Sequence, residues 1–473
     1  MFDFECYSGN IAVITDQGEQ LTYGQLASEV EKLYAAIPSK GFMFTLCENS
    51  LGSFVGYVAG IFNHIPQVLL DGKKDFELVQ RLIGIYQPEY LWMPSARVDE
   101  FKEEQKGATA IYEFCGNSLL QMQYATQEQK DINPELLLCL TTSGSTGSPK
   151  LVKLTEQNLL SNAESIAEYL NITADERPIT SLPMYYSYGL SVINSHLIKG
   201  ATILLTDYAV IQKEFWNFAK EQHATSIAGV PYTYEMLRRL RIFRMDLPDL
   251  KTMTQAGGKL NAKIAEEYIR NAEETGRKFF VMYGQTEATA RMSYLPQEHA
   301  LEKYAGIGIA IPGGSFSLID ANGNEITEPD VDGELVYKGT NVSMGYAECI
   351  ADLGKGDENH GELHTGDVAR RDADGYYYIT GRMKRFVKVW GNRCNLDATE
   401  QLVKSITTNC ACAGVDDKIT IFVTEEGLDA SIKSLLSEKM GLNTRAFAVK
   451  VIAEIPKNAS GKVQYAELQK LLD

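Results

Sequence analysis

Between about residues 40 and 280, short apolar runs alternate with longer amphipathic stretches, and this alternation constrains the fold more than any other feature of the chain. KGFMFTLC, PQVLLD, ELLLCLTT, PITSLP, ATILLT and ATSIAG have the length and texture of buried strands. Leu154–Leu170, Leu190–Lys199, Ile211–Gln222, Tyr232–Arg241 and Leu260–Thr275 have the spacing of helices. Strands feeding helices in this way predict layered α/β units on largely parallel sheets.

After about residue 305 the texture changes. IPGGSFSLIDANGNEI, GELVYKG and DVARRDADGYYYITGR alternate over short lengths and carry the turn dipeptides Asn322-Gly323 and Asp374-Gly375, which predicts antiparallel hairpins. Beyond Gly381 a basic stretch, RMKRFVKVWGNR, leads to a helix near Asp397–Ile406, a strand near Lys418–Val423 and a helix near Asp429–Lys439. The expected organisation is a large N-terminal domain, residues 1–380, of layered α/β subdomains plus a β-rich subdomain. A small α+β domain, residues 381–473, follows it.

Lys and Arg number 45 against 62 Asp and Glu, a formal charge of −17. So acidic a chain repels phosphates unless it concentrates positive charge locally, which argues against general binding of nucleic acid or anionic membrane. The N-terminus, MFDFECYSGN, has neither a basic nor an apolar leader region. The most apolar early stretch, Leu51–Ile65, is short and broken by Gly52, Gly56 and Gly60, so no membrane span is expected. The eight cysteines are scattered, with only Cys410 and Cys412 close together. Reduced, mostly buried thiols in a cytoplasmic protein are the expectation.

One loop carries chemistry. TTSGSTGSPK (Thr141–Lys150) follows the strand ELLLCL and precedes a helix. Its small residues allow backbone N–H groups to approach a polyphosphate, its hydroxyls add donors, and Lys150 adds charge. It is not G-x-x-x-x-G-K-[ST], because Pro149 stands five residues beyond Gly144. The string S-G-S-T-G-x-P-K resembles the phosphate-binding loop of the acyl-adenylate-forming enzymes: acyl- and aryl-CoA synthetases, adenylation domains and beetle luciferases. The family's other signatures follow in order, from LTYGQL (Leu21–Leu26) to Lys462.

The resemblance implies a role for each matching position. Thr142, Ser143, Gly144, Ser145, Thr146, Gly147 and Lys150 would hold the phosphates of ATP. In YGQTE, Tyr283 would stack on adenine beside Gly284 and Gln285, Thr286 would contact the α-phosphate and Glu287 would hold Mg²⁺. Gly257 and Gly258 would leave room for the base, and Asp367 of HTGD with Arg382 would bind the ribose. Lys384 falls at the family's hinge position. Lys462 of PKNASGK takes the place of the catalytic lysine, whose ammonium neutralises both the attacking carboxylate and the α-phosphate. For Arg385 and Lys388 in the basic run, a solvated face and a functional role are both open.

Some positions depart from the pattern. Leu151 stands where the loop usually continues with Gly, and Tyr465 replaces a frequent Arg. In PMYYSYGL, Tyr186 occupies the position of a common His, and of the Asp that amino-acid adenylation domains use for the substrate amine. Its absence argues against an α-amino acid. Tyr185, Tyr186 and Gly189 are candidates for the acid pocket, and plain core is the alternative. The resemblance implies ATP, Mg²⁺ and a small-molecule carboxylic acid, with transfer to coenzyme A. Loading of phosphopantetheine on an acyl carrier protein, a non-catalytic nucleotide-binding relative and a luciferase-like oxidation are the alternatives.

Overall fold

The computed structural model describes residues 1–472 apart from 74–75, 105–107, 125–129, 142–149, 384, 391 and 458–462. Two large sheets dominate it. In the first, Gln67–Asp71, Met43–Cys47 and Tyr90–Pro94 run parallel at the centre, and Leu136–Thr141 runs parallel to Gln67–Asp71. Leu151–Thr155 and Gly345–Ala347 add antiparallel strands at one edge. In the second, Lys278–Tyr283, Thr252–Gln255, Ser226–Gly229, Pro178–Ile179, Ile203–Leu205 and Ile11–Thr15 are all parallel. Each is buried over most of its length, as a strand covered on both faces must be.

Helices Leu51–Phe62 and Ser187–Leu197 fill the space between the sheets and are buried along almost their whole length. The glycines that interrupt the first of these are spaced every fourth residue and fall on one helix face. A Cβ on Gly56 would lie 2.1 Å from Trp92 Nε1, and one on Gly60 2.1 Å from Gln67 Nε2. Trp92 Nε1 instead donates to the Gly52 carbonyl at 2.9 Å. The stripe thus seats a backbone against a sheet. Among the described residues no helix is long and apolar enough to cross a membrane.

The expected hairpins form a four-stranded antiparallel sheet of Gly314–Ile319, Gly333–Gly339, Glu362–Arg371 and Tyr377–Arg382. Gly323 and Gly375 take positive φ at its turns, as their dipeptides require. The last ninety or so residues pack a core of their own from Val387, Cys412, Ile421, Ile432, Leu436 and Phe447. It is built on helices Leu396–Val403 and Asp429–Met440 and a three-stranded sheet.

One reading needs correction. The glycine-rich loop does not lead into a helix. Leu151–Thr155 is a strand paired antiparallel with Leu136–Thr141, Thr141 opposite Leu151, so the loop joins two strands. The helix starts only at Glu156, where Thr155 and Asn158 form a reciprocal cap. Lys153 is buried, and its Nζ donates to the Asp352 and Lys355 carbonyls at 3.1 Å each. Leu151 is therefore a fully buried strand residue, and the helix dipole is not what would favour an anion in this loop.

Arg385 also departs from both sequence readings. It is buried, 3.5 Å from the Tyr465 ring centroid, with Nε 2.6 Å from Asp397 and Nη2 3.5 Å from Glu400. Tyr465, unusual in the resemblance, is the lid on this guanidinium. Lys388 is exposed on its strand. Removing Arg385 takes the cation from Asp397 and leaves the buried Glu400 with Lys404 alone as its ion-pair partner among the described residues. Arg385→Ala is expected to destabilise the C-terminal core by about 3 kcal/mol. Hydrogen exchange should show protection lost beyond residue 385 and retained in the two large sheets, and uniform loss across the chain would contradict an independent core.

Candidate functional site

The strand Lys278–Tyr283 ends in a turn that the backbone tolerates only in one form. A Cβ on Gly284 would sit 1.7 Å from the Ala290 carbonyl oxygen, so the chain doubles back against itself there. Thr289 and Ala290 both take positive φ, 57° and 104°, which costs energy for residues with a side chain. Asn341 holds this strain in place. Its Nδ2 donates to the Ala288 carbonyl at 2.8 Å and the Arg291 carbonyl at 3.2 Å, while Tyr337 donates to its Oδ1 at 2.8 Å. Asn162 Nδ2 adds a bond to the Arg291 carbonyl at 2.8 Å. Asn162, Thr289, Ala290 and Asn341 were not identified from sequence, although NVSMGY begins one residue beyond GELVYKG.

The turn gathers the motif residues. Tyr283 Oη donates to Asp367 Oδ2 at 2.5 Å, and Gln285 Nε2 reaches the same oxygen at 3.0 Å. Asp367 and Arg382 face each other across paired strands, with Arg382 Nε 3.4 Å from Asp367 Oδ1. HTGD is thus part of the long strand Glu362–Arg371 rather than a hairpin turn. Burial and the Asp367 charge hold the Tyr283 phenol well above its usual range. The cluster pairs a buried carboxylate with an exposed guanidinium, which suits a diol that accepts and donates at one edge.

Thr286 Oγ1 lies 3.0 Å from Ser187 Oγ, at the start of the helix Ser187–Leu197. Glu287 Oε1 accepts a hydrogen bond from Tyr346 Oη at 2.7 Å. The Tyr346 ring lies 5.4 Å beneath Lys150 Nζ, which pairs with Glu348 at 2.5 Å. Tyr346 sits on the edge strand opposite Val152, so the base of the glycine-rich loop and Glu287 share one support. Sequence reasoning missed Tyr346. Among the described residues no cluster of three His, Cys, Asp or Glu could enclose a metal. A single carboxylate beside a phosphate loop still fits Mg²⁺, which takes most of its ligands from substrate phosphates and water.

Gly257 has φ +82°, and a Cβ there would meet Tyr186 Oη at 2.7 Å. A Cβ on Gly258 would come 3.2 Å from Pro231 Cγ. Burial pushes the Tyr186 phenol up to about 12. Tyr186 therefore stands beside the glycine pair, but Tyr185 points elsewhere, hydrogen-bonded to Asp71 and close to Asp207. Gly189 is a packing position, since a Cβ would meet the Pro183 carbonyl at 2.3 Å. Thr142, Ser143, Gly144, Ser145, Thr146, Gly147, Lys384 and Lys462 lie outside the described residues. Lys457, just before the last of these, lies 4.8 Å over the Tyr232 ring, next to Pro231.

The fold and this convergence define a nucleotide-binding α/β protein. A family model described as AMP-binding enzyme matches residues 65–347, more than half the chain, and the protein belongs to that family. It is similar to a feruloyl-CoA synthase from Amycolatopsis, 27% identical, with 71% of this chain and 70% of the relative aligned. It is also similar to an indoleacetate–CoA ligase from Aromatoleum aromaticum, 25% identical over 96% of this chain and 93% of the relative. Its fold matches that of a Bacillus subtilis o-succinylbenzoate CoA synthetase solved with its acyl-adenylate. That match has a TM-score of 0.78 at 21% identity and covers 97% of this chain and 95% of that one.

The strained turn gives a stability test. Asn341→Ala leaves the Ala288 carbonyl without its side-chain donor and the buried Tyr337 hydroxyl without its acceptor, and should cost about 2–4 kcal/mol in urea unfolding. A loss under about 0.5 kcal/mol would show that the turn holds itself.

Proposed function

We propose that the protein is an AMP-forming acid–thiol ligase that activates a carboxylic acid with Mg²⁺-ATP and passes the acyl group to coenzyme A. The observation that supports it best is the meeting of Tyr283, Gln285, Asp367 and Arg382 in one cluster, with Thr286, Glu287 and Lys150 nearby. The indoleacetate–CoA ligase relative aligns over 96% of this chain.

In this reading the loop residues Thr142–Gly147 and Lys150 hold the phosphates, and Asp367 and Arg382 hold the ribose. Gly257 and Gly258 leave a flat slot for adenine, closed by Tyr283. Glu287 would hold Mg²⁺, which screens phosphate charge while bound. The acid's carboxylate oxygen attacks the α-phosphorus, the bond to the bridging oxygen breaks, and pyrophosphate leaves with the acyl-adenylate behind. Thr286 and Lys462 neutralise the charge that accumulates on the α-phosphate, where preorganised donors are worth most. A thiolate then attacks the acyl carbon and AMP leaves.

The division into residues 1–380 and 381–473 belongs to the same proposal, with Lys384 as the hinge about which the smaller domain turns between the two half-reactions. The separate core beyond residue 386 supports it. Lys457 lies over the Tyr232 ring and Asn395 Nδ2 donates to the Thr380 carbonyl, contacts that join the smaller domain to the larger one. A cytoplasmic location fits a ligase that draws on ATP and coenzyme A.

The decisive measurement is pyrophosphate release from the purified protein across aliphatic, aryl and hydroxy acids, with and without coenzyme A. Acid-dependent release with acyl-CoA formation is expected. Nucleotide binding with no acid-dependent release would leave a non-catalytic relative, and release stimulated only by a carrier protein would replace coenzyme A as acceptor. Lys462→Ala is expected to lower adenylate formation about 100-fold or more while sparing thioester formation from supplied acyl-adenylate. Equal loss of both half-reactions would overturn the two-posture assignment.

A further inference from the structure

Arg291 is a cation in the interior without a counter-ion among the described residues. It is 1% exposed, yet its side-chain partners are all neutral: Ser191 Oγ at 3.1 Å from Nε, Tyr169 Oη at 3.2 Å and Met282 Sδ at 3.5 Å from Nη1, and the Tyr188 ring 5.0 Å away. No carboxylate among the described residues lies within ion-pair distance of it. Arginine keeps its charge in a protein, and an unpaired buried charge is costly to hold. The strained turn at Thr289 and Ala290, clamped by Asn162 and Asn341, is what delivers this side chain inward.

The guanidinium lines a small cavity of ≈ 20 Å³ with His196, Thr254, Ser226, Val192 and Leu170, room for a polar group about the size of one or two waters. Burial drives the His196 imidazole down to about 4, with Arg291 adding to the effect, so the ring is neutral. Glu176, also on the wall, is occupied by Thr225 Oγ1 and faces Lys251 at 3.8 Å. A second small cavity is lined by Ser187, Ser191, Asn194 and Thr289, and the Arg291–Ser191 hydrogen bond links a residue of the first lining to a residue of the second. Ser187 touches Thr286, where the reacting carboxylate would sit. Ser187 and Ser191 are one turn apart on the same helix, about 6 Å along its axis.

We propose that the acid this protein activates carries a second anionic group, and that Arg291 receives it about one helical turn from the carboxylate being activated. This rests on the ligase reading and names its substrate class: short acids with a distal carboxylate or sulfonate. An acid with an apolar tail leaves the guanidinium unpaired and is disfavoured, because a site built to pair a polar group discriminates against the analogue without it.

The test uses the full-length protein and matched pairs: butyrate with succinate, valerate with glutarate, hexanoate with adipate. Pyrophosphate release should favour the diacid of at least one pair by about 100-fold in kcat/KM. Arg291→Met should abolish that preference, and Arg291→Lys should keep part of it. Thermal shift with each acid and a non-hydrolysable ATP analogue reads binding without turnover. Diacid-specific stabilisation that disappears in Arg291→Met supports the anion site even if no acid is turned over, in which case the ligase reading alone fails. Equal or better use of the monoacids by the wild-type protein overturns the inference and leaves the ligase reading intact. If Arg291→Met does not fold, the wild-type preference between paired acids still decides.

Discussion

The turn from Gly284 to Arg291 is the constraint on which the rest of the site depends. Two consecutive residues sit at positive φ, and a glycine lies where any side chain would strike the returning backbone. Such a turn persists only where its surroundings over-determine it. Asn341 and Asn162 supply that determination from two different elements, the connection after the strand Gly333–Gly339 and the helix Glu156–Leu170. Through them the second large sheet, the four-stranded sheet and the helix Glu156–Leu170 are fixed relative to one another. Once they are fixed, Tyr283 meets Asp367 on one side of the turn and Glu287 meets Tyr346 on the other. The motif is five residues long, but its geometry is set by asparagines some fifty residues beyond it and over a hundred before it.

Charge explains the arrangement on a second level. An overall charge of −17 opposes any polyanion, so the cations near the site have to be local and positioned. Lys150 is held by Glu348 and the Tyr346 ring, and Arg382 by Asp367. Arg385 and Lys153 lie in the same stretches of sequence as site residues but are absorbed by structure, one beneath Tyr465 and the other by two backbone carbonyls. Sequence shows how many cations a segment has. Which of them remain to face a ligand depends on carboxylates and carbonyls that arrive from elsewhere in the chain.

The same distinction separates what could be read in the sequence from what could not. The α/β layering was legible because a buried parallel strand is apolar throughout and its period is local. The order of the motifs was legible because each needs residue types at short spacing. The path after the glycine-rich loop was not. LVKLT lies directly before a helix with a strong cap, and the helix was expected to begin at Leu154. Only the antiparallel pairing with Leu136–Thr141, and a lysine satisfied by carbonyls two hundred residues away, make it a strand. Tyr185 and Tyr186 are adjacent in sequence and were read together, yet a turn at the start of the helix sends one to Asp71 and the other to Gly257. Long-range partners decide such cases, and no local pattern encodes them.

Arg291 shows why these failures of local reading are informative. A lone arginine in ATARMSYL conflicts with its apolar neighbours, and burying it costs free energy unless something pairs with it. Strain at Thr289 and Ala290 adds to that cost at the same point. Two local penalties side by side are not what folding alone would select, since a leucine or methionine would fill the space with less strain and no desolvated charge. They make sense together if the missing partner is a ligand, because the strain then aims the guanidinium and the absence of an internal carboxylate leaves it available. A protein carboxylate at hydrogen-bond distance would have stabilised the fold and closed the site. The pairing is instead left to whatever enters between the two large sheets.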